Sequence, residues 1–167
     1  SKDILVEDVH FRRRYFTAED LAIKALQVNC SDMAAMGVRP SYIASALALP
    51  PTCMAFGEAT LNALVTACQQ NSIELIGGDL TASTSKMMLS ITIMGYATDD
   101  YIRYRSGARV GDIVVVIGNL GVAGHGLQQL ESGRVGCQES IDAFLRPQAK
   151  IEEGSWCARQ SSVTSMM

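Results

Sequence analysis

The chain has 167 residues, 48% of them hydrophobic and 19% charged, with a net charge of −3, enough for one domain, or one domain plus part of a second, with a core that needs no staples. An acidic balance with Arg12-Arg13-Arg14 as the only dense basic run argues against nucleic acid as a partner. No stretch approaches the roughly 20 apolar residues of a membrane helix, and charges at Lys2 and Asp3 replace the greasy start of a signal peptide, so no membrane partner is expected. Five cysteines at irregular spacing, without a C-x-x-C pair, fit reduced thiols and a cytoplasmic setting.

Ile4, Leu5, Val6 and Val9 predict an opening strand. A helix follows, with Thr17 as its N-cap, Glu19 and Asp20 in the first turn, and a stripe of Leu21, Ala25, Val28, Met33 and Met36 that Gly37 ends and Pro40 keeps from restarting. Residues 41–49 read as a buried strand closed by Pro50-Pro51, and residues 54–70 as a second helix. Residues 73–76 predict a short strand ending in Gly77-Gly78-Asp79, and residues 87–97 alternate as a further strand. This order gives an α/β or α+β fold with a mixed sheet. A second unit is expected from about residue 103. In it, residues 113–117 read as an apolar strand, Gly118 to Gly126 as a glycine-rich segment, and three helices run through 127–130, 140–145 and 149–159. Residues 161–167 look like a strand beginning. No internal repeat or low-complexity stretch is visible.

Three aspartates lack a local structural reason. Asp32 sits among small apolar residues near the negative end of its helix, where a carboxylate is disfavoured by about 0.3–1 kcal/mol. Asp79 follows two glycines, which let backbone approach a ligand closely. Asp3 lies in the opening strand, seven residues before His10. Each has an ordinary reading too: a turn for Asp79, a hydrogen-bonded structural carboxylate for Asp32, an exposed strand position for Asp3, a partly buried histidine for His10. The arginine run reads first as a solvated face. The glycine-rich segment lacks the Lys-Ser/Thr ending of a P-loop, which favours tight packing over phosphate binding. Dispersed carboxylates without a Ser-His or Cys-His pair suit magnesium-assisted phosphoryl transfer better than covalent hydrolysis.

Taken together, Asp3-Ile4-Leu5-Val6, Val9-His10-Phe11, the run from Asp20-Leu21 through Asn29, Ser31-Asp32 and Ala34-Ala35-Met36-Gly37, Ile76-Gly77-Gly78-Asp79, Arg105-Ser106-Gly107-Ala108 with Gly111-Asp112, and Leu145-Arg146-Pro147 resemble the thiamine-monophosphate kinase family, which is related to aminoimidazole-ribonucleotide synthetase. The resemblance implies magnesium ligands at Asp3, Asp32 and Asp79, ATP contacts at Gly78, Asp79 and Arg105, and a thiamine-phosphate contact at His10. It implies that the γ-phosphoryl group of ATP passes to thiamine monophosphate, giving thiamine diphosphate. It also implies an N-terminal ATP- and magnesium-binding domain over residues 1–102 that forms a homodimer through its sheet, and the start of a C-terminal α/β domain over residues 103–167. The chain is then expected to be truncated at both ends and impaired in turnover. Two alternatives stay open, a non-catalytic nucleotide-binding or dimerisation fragment and a relative with another phosphate acceptor. Val122 stands where many relatives carry Asp.

Overall fold

Four stretches of β-branched and small residues pair into one mixed sheet in the computed structural model, which describes residues 1–133 and 136–167. The strands are β1 (Lys2–Val6), β2 (Arg39–Leu49), β3 (Glu74–Ala82) and β4 (Met88–Tyr96), in the spatial order β1-β4-β2-β3. Strand β4 runs antiparallel to both β1 and β2, and β2 is parallel to β3. Helices α1 (Ala18–Ala34) and α2 (Met54–Gln70) supply the connections and cover one face. Alternation puts Leu5, Ile43, Ser45, Leu47, Leu89, Ile91 and Ile93 under the helices. There they meet Leu21, Leu26, Met33 and Leu64, and these side chains form the core. The opposite face carries no helix among the described residues and exposes Ile4, Met94 and Tyr96.

The first helix begins and ends as its sequence dictates. Thr17 and Asp20 form a reciprocal capping box, each side chain accepting from the other's backbone N–H. At the far end Val38 N–H donates to Met33 O and Gly37 N–H to Ala34 O, both at 2.9 Å, the paired bonds of a Schellman stop. Gly37 takes φ +75°, and a Cβ there would lie 2.2 Å from the Ala158 Cβ. Glycine is required twice over, for backbone and for packing.

The later helices α3 (Val122–Ser132), α4 (Gln138–Leu145) and α5 (Ile151–Ala158) fall close to their expected positions. Two of them return to α1. Phe144 at the end of α4 receives the Lys24 ammonium on its carbonyl at 2.9 Å and on its ring face at 3.5 Å. Arg146 pairs with the buried Asp20, and Gly154 in α5 lies close against the Ala34 carbonyl.

Three expectations are corrected. Residues 113–117 form no strand; they run irregular and exposed, because a strand needs a neighbour's backbone and no described strand lies beside them. Residues 161–167 form none either, being tied down by side chains, with Thr164 Oγ on Asp112 at 2.7 Å and Ser165 Oγ on the Arg105 carbonyl at 3.1 Å. Gly77-Gly78-Asp79 does not end β3 but lies inside it, paired with Ala44, Ser45 and Ala46 beyond a bulge. In the glycine-rich segment, Gly126 packs on the Ser140 carbonyl, while Gly118 and Gly121 adopt φ +107° and +85° in open space.

Candidate functional site

Asp79 stands mid-way along an edge strand, opposite Ala46. Since Ser45 and Leu47 face the helices, Ala46 and Asp79 face the uncovered side of the sheet. The Asp79 carboxylate is exposed there, an acceptor-only group. Gly77 shares its face, and a Cβ at Gly77 would meet nothing within 4 Å. The pair therefore offers a carboxylate beside bare backbone, with room for a ligand to lie against the strand. Gly78 has a different reason for being glycine, since its Cβ would stand 2.4 Å from the Ser45 carbonyl oxygen. It lets β3 approach β2. The resemblance implied Gly78 and not Gly77 as the ATP contact, since two adjacent glycines look alike until the register separates their faces.

Asp3 alternates with Leu5 and pairs with Ile91, which places it on the helix-covered side. Its neighbour Lys2 faces the other way. Asp32 lies two residues before the end of α1, half-buried, and its Oδ2 accepts from the Ser1 hydroxyl at 2.6 Å. Asp3 and Asp32 thus share one end and one side of the sheet, where β1 begins and α1 ends. Arg105 lies on the connection leaving β4 at that same end, exposed in a 3-10 turn (Arg105–Gly107). Two residues earlier in the chain, Arg103 N–H donates to the Met36 carbonyl at 3.3 Å.

The structure does not bring all three aspartates together. Two strands separate β1 from β3, so three spacings, about 14 Å, lie between Asp3 and Asp79, on opposite faces. Magnesium–oxygen bonds are about 2.1 Å. Among the described residues no group of three His, Cys, Asp or Glu is placed to hold a metal ion. The donor chemistry still suits magnesium, which takes one or two carboxylates and fills its remaining positions with water and phosphate oxygens. The residues fit as separate carboxylate footholds, not as one three-carboxylate cage.

His10 occupies the turn after β1, at the opposite end of the sheet from Asp32. Its Nδ1 accepts the Val6 N–H at 3.0 Å, and among the described residues the Nε2 of this exposed side chain has no hydrogen-bond partner. Asp8, at φ +68°, makes the turn, and the Lys86 ammonium hydrogen-bonded to it holds its carboxyl below the usual range. Buried Glu7 anchors the turn from beneath, accepting from Arg13 Nε at 2.5 Å and from the Met87 N–H at 3.1 Å. Arg12 and Arg14 both pair with Glu131 of α3. The arginine run thus stays on the solvated surface, as expected, and ties that surface to the β1 turn and to α3 through ion pairs.

Asp112 closes a turn, accepting from the Arg109 N–H at 2.9 Å and from Thr164 Oγ. These bonds, the Thr164 hydroxyl first, hold its carboxyl below the ordinary value. Its part in the Gly111-Asp112 motif is thus to fix the chain on either side of the turn.

Residues 1–97 match the family described as AIR synthase related protein, N-terminal domain. A thiamine-monophosphate kinase of Bacillus subtilis (strain 168) is 32% identical over 166 residues, covering 93% of this chain and 50% of that protein. The crystal structure of thiamine monophosphate kinase from Aquifex aeolicus superposes with TM-score 0.86 at 30% identity, over 97% of this chain and 56% of the other. AaThiL complexed with AMPPCP and TMP gives TM-score 0.85 at 31% identity, over 95% and 52%. The chain spans about half the length of the curated relatives it matches.

Proposed function

This chain belongs to the AIR synthase-related family, and on that premise we propose that it is the nucleotide-binding part of an ATP-dependent thiamine-monophosphate kinase. The reaction is magnesium-dependent transfer of the ATP γ-phosphoryl group to a phosphate oxygen of thiamine monophosphate. The γ-phosphorus–oxygen bond to ADP breaks as the new bond forms, giving thiamine diphosphate. The observation that carries this reading is Asp79, an exposed carboxylate beside the bare Gly77 on the sheet face opposite α1 and α2. The complex of a relative with AMPPCP and TMP supports the same choice of ligands.

In this proposal Asp79 holds the metal-bound phosphates against β3, with Gly77 leaving space for them and Gly78 keeping β3 close to β2. Asp3 and Asp32 provide the second carboxylate foothold, and Arg105 a cation for phosphate oxygens. His10 presents Nε2 to the thiamine phosphate. When bound, magnesium would neutralise charge on the transferring group. The chain's own share is positioning, the larger part of phosphoryl-transfer catalysis. A second copy covers the open sheet face, which accounts for the exposed Ile4, Met94 and Tyr96 and brings the Asp79 face to an interface. Residues 1–102 form the nucleotide-binding domain and residues 103–167 begin the next. The setting is cytoplasmic, consistent with thiols that are all free.

The test is formation of thiamine diphosphate from thiamine monophosphate and ATP with magnesium, read by separation of the products. Slow turnover that stops in Asp79→Asn is the expected result. Magnesium-dependent ATP binding with no product would assign the chain to a non-catalytic nucleotide-binding module. Turnover unchanged in Asp79→Asn would overturn the assignment of Asp79.

A further inference from the structure

The turn between Val6 and Phe11 closes on one side chain, that of His10. Val6 gives both of its backbone groups to this residue. Its carbonyl accepts the His10 N–H at 2.9 Å, and its N–H donates to the ring Nδ1 at 3.0 Å. A ring nitrogen that accepts carries no proton, so the ring proton sits on Nε2 and the clasped ring is uncharged. In a charged ring both nitrogens donate, and the Val6 N–H would face a second donor. Phe11, next in the chain, is buried against Phe16, and its carbonyl accepts the Asp8 N–H at 2.8 Å. His10 is thus fixed through its own ring and through a neighbour anchored in the core.

Glu7 and Arg13 stand three residues to either side of His10. Their side chains meet, Arg13 Nε donating to Glu7 Oε1 at 2.5 Å, and the Glu7 side chain is only 8% exposed. A carboxylate is costly to bury, and every bond this one makes serves the turn. Its Oε2 accepts the Met87 N–H at 3.1 Å while the Glu7 N–H donates to the Met87 carbonyl at 2.9 Å, so both backbone groups of Met87 hold Glu7. The Asp8–Lys86 pair on the same turn is solvated and contributes little. Arg12 and Arg14 are engaged with Glu131. We infer that Glu7 is a positioning residue: with Arg13 it staples residues 7–13, so that His10 stays clasped by Val6 and meets the substrate phosphate through Nε2 as an uncharged hydrogen-bond donor. This deepens the kinase reading of His10 and, for the substrate contact, rests on it. The chemistry asks no more of the ring. A phosphate monoester loses its second proton at about pH 6, so the attacking oxygen of thiamine monophosphate is ionised at neutral pH and needs no base.

The test reads the clasp itself, as the nitrogen–nitrogen coupling that passes through the hydrogen bond between the Val6 amide and His10 Nδ1, in NMR spectra of the isotope-labelled full chain without ligand. The chain has 2 histidines, His10 and His125, and His125→Gln assigns the ring signals. The unsubstituted chain should show the coupling. It should fall or vanish in Glu7→Gln, which keeps an acceptor for the Met87 N–H and loses the charge that faces Arg13, and in Arg13→Gln, which changes an exposed side chain. Lys86→Gln should leave it unchanged. Titration with thiamine monophosphate should move the Nε2 signal. A turn clasped for a third of the time binds about threefold more weakly, so Glu7→Gln should lose about threefold or more in affinity. No coupling in the unsubstituted chain, or an undiminished one in folded Glu7→Gln and Arg13→Gln, would overturn the proposal. Because the coupling is read without ligand, the two ideas fail separately. A coupling that behaves as stated, in a chain that binds no thiamine monophosphate, would overturn the kinase reading and uphold the Glu7 staple.

Discussion

The two adjacent glycines of β3 should respond in opposite ways to the same substitution. A Cβ at Gly78 would sit 2.4 Å from the Ser45 carbonyl oxygen and 3.1 Å from its hydroxyl. Ordinary contact begins near 3.4 Å, so β3 must move about 1 Å from β2 or twist away from it. Overpacking of this kind costs about 1–3 kcal/mol, offset by the roughly 0.5–1 kcal/mol that alanine gains over glycine in a strand. Gly78→Ala should therefore lose about 1–2 kcal/mol. With a urea slope of about 2 kcal/mol per molar, the midpoint falls by about 0.5–1 M. Gly77→Ala meets nothing within 4 Å, so its midpoint should stay or rise slightly. Its methyl group, however, enters the space beside Asp79 and should weaken ATP binding. Urea unfolding followed by circular dichroism, paired with nucleotide titration, reads both effects. A midpoint drop in Gly77→Ala and none in Gly78→Ala would refute the assignment of faces from the register.

Other consequences follow from side chains outside that strand. Burial alone would raise the Asp20 carboxyl, but the Thr17 hydroxyl and N–H and the Arg146 guanidinium outweigh it and hold it below its ordinary value. A depressed carboxyl stabilises the fold above the unfolded value of about 3.9 and loses that contribution as pH falls through the folded one. Asp20→Asn should cost about 1–3 kcal/mol at pH 7, with the gap to the unsubstituted chain narrowing below about pH 4; a constant gap would contradict the ion pair. Thiol labelling should also be graded. Burial pushes the Cys30 thiol up to about 12 and Cys68 up to about 11, whereas the Ser140 N–H lowers exposed Cys137. Cys137 should react first with a disulfide reagent at pH 7, and Cys30 and Cys68 only on unfolding.

Local signals carried much of the architecture. The Thr17 N-cap with its acidic first turn, the Gly37 stop and the Pro50-Pro51 break each act within a few residues, and the structure keeps all of them. Residues 113–117 misled because strand propensity states a preference for a partner without supplying one. The site was legible as residue types and not as geometry. Asp79 stood out in sequence, yet only the bulge before Ala44 and Gly77 sets which face it occupies. Likewise nothing in the order Arg12-Arg13-Arg14 shows that Glu7 and Glu131, one of them far along the chain, take up those charges.

The central claim is that Asp79 holds the phosphates of a magnesium-bound nucleotide on the open sheet face. Calorimetric titration of magnesium and ATP into the full chain and into Asp79→Asn tests it directly. The account predicts binding to the unsubstituted chain that requires the metal. It also predicts a loss of affinity of about tenfold or more in the variant, about 1.4 kcal/mol, with an unchanged unfolding midpoint. Equal affinity in the two proteins, each at the same magnesium dependence, would contradict it.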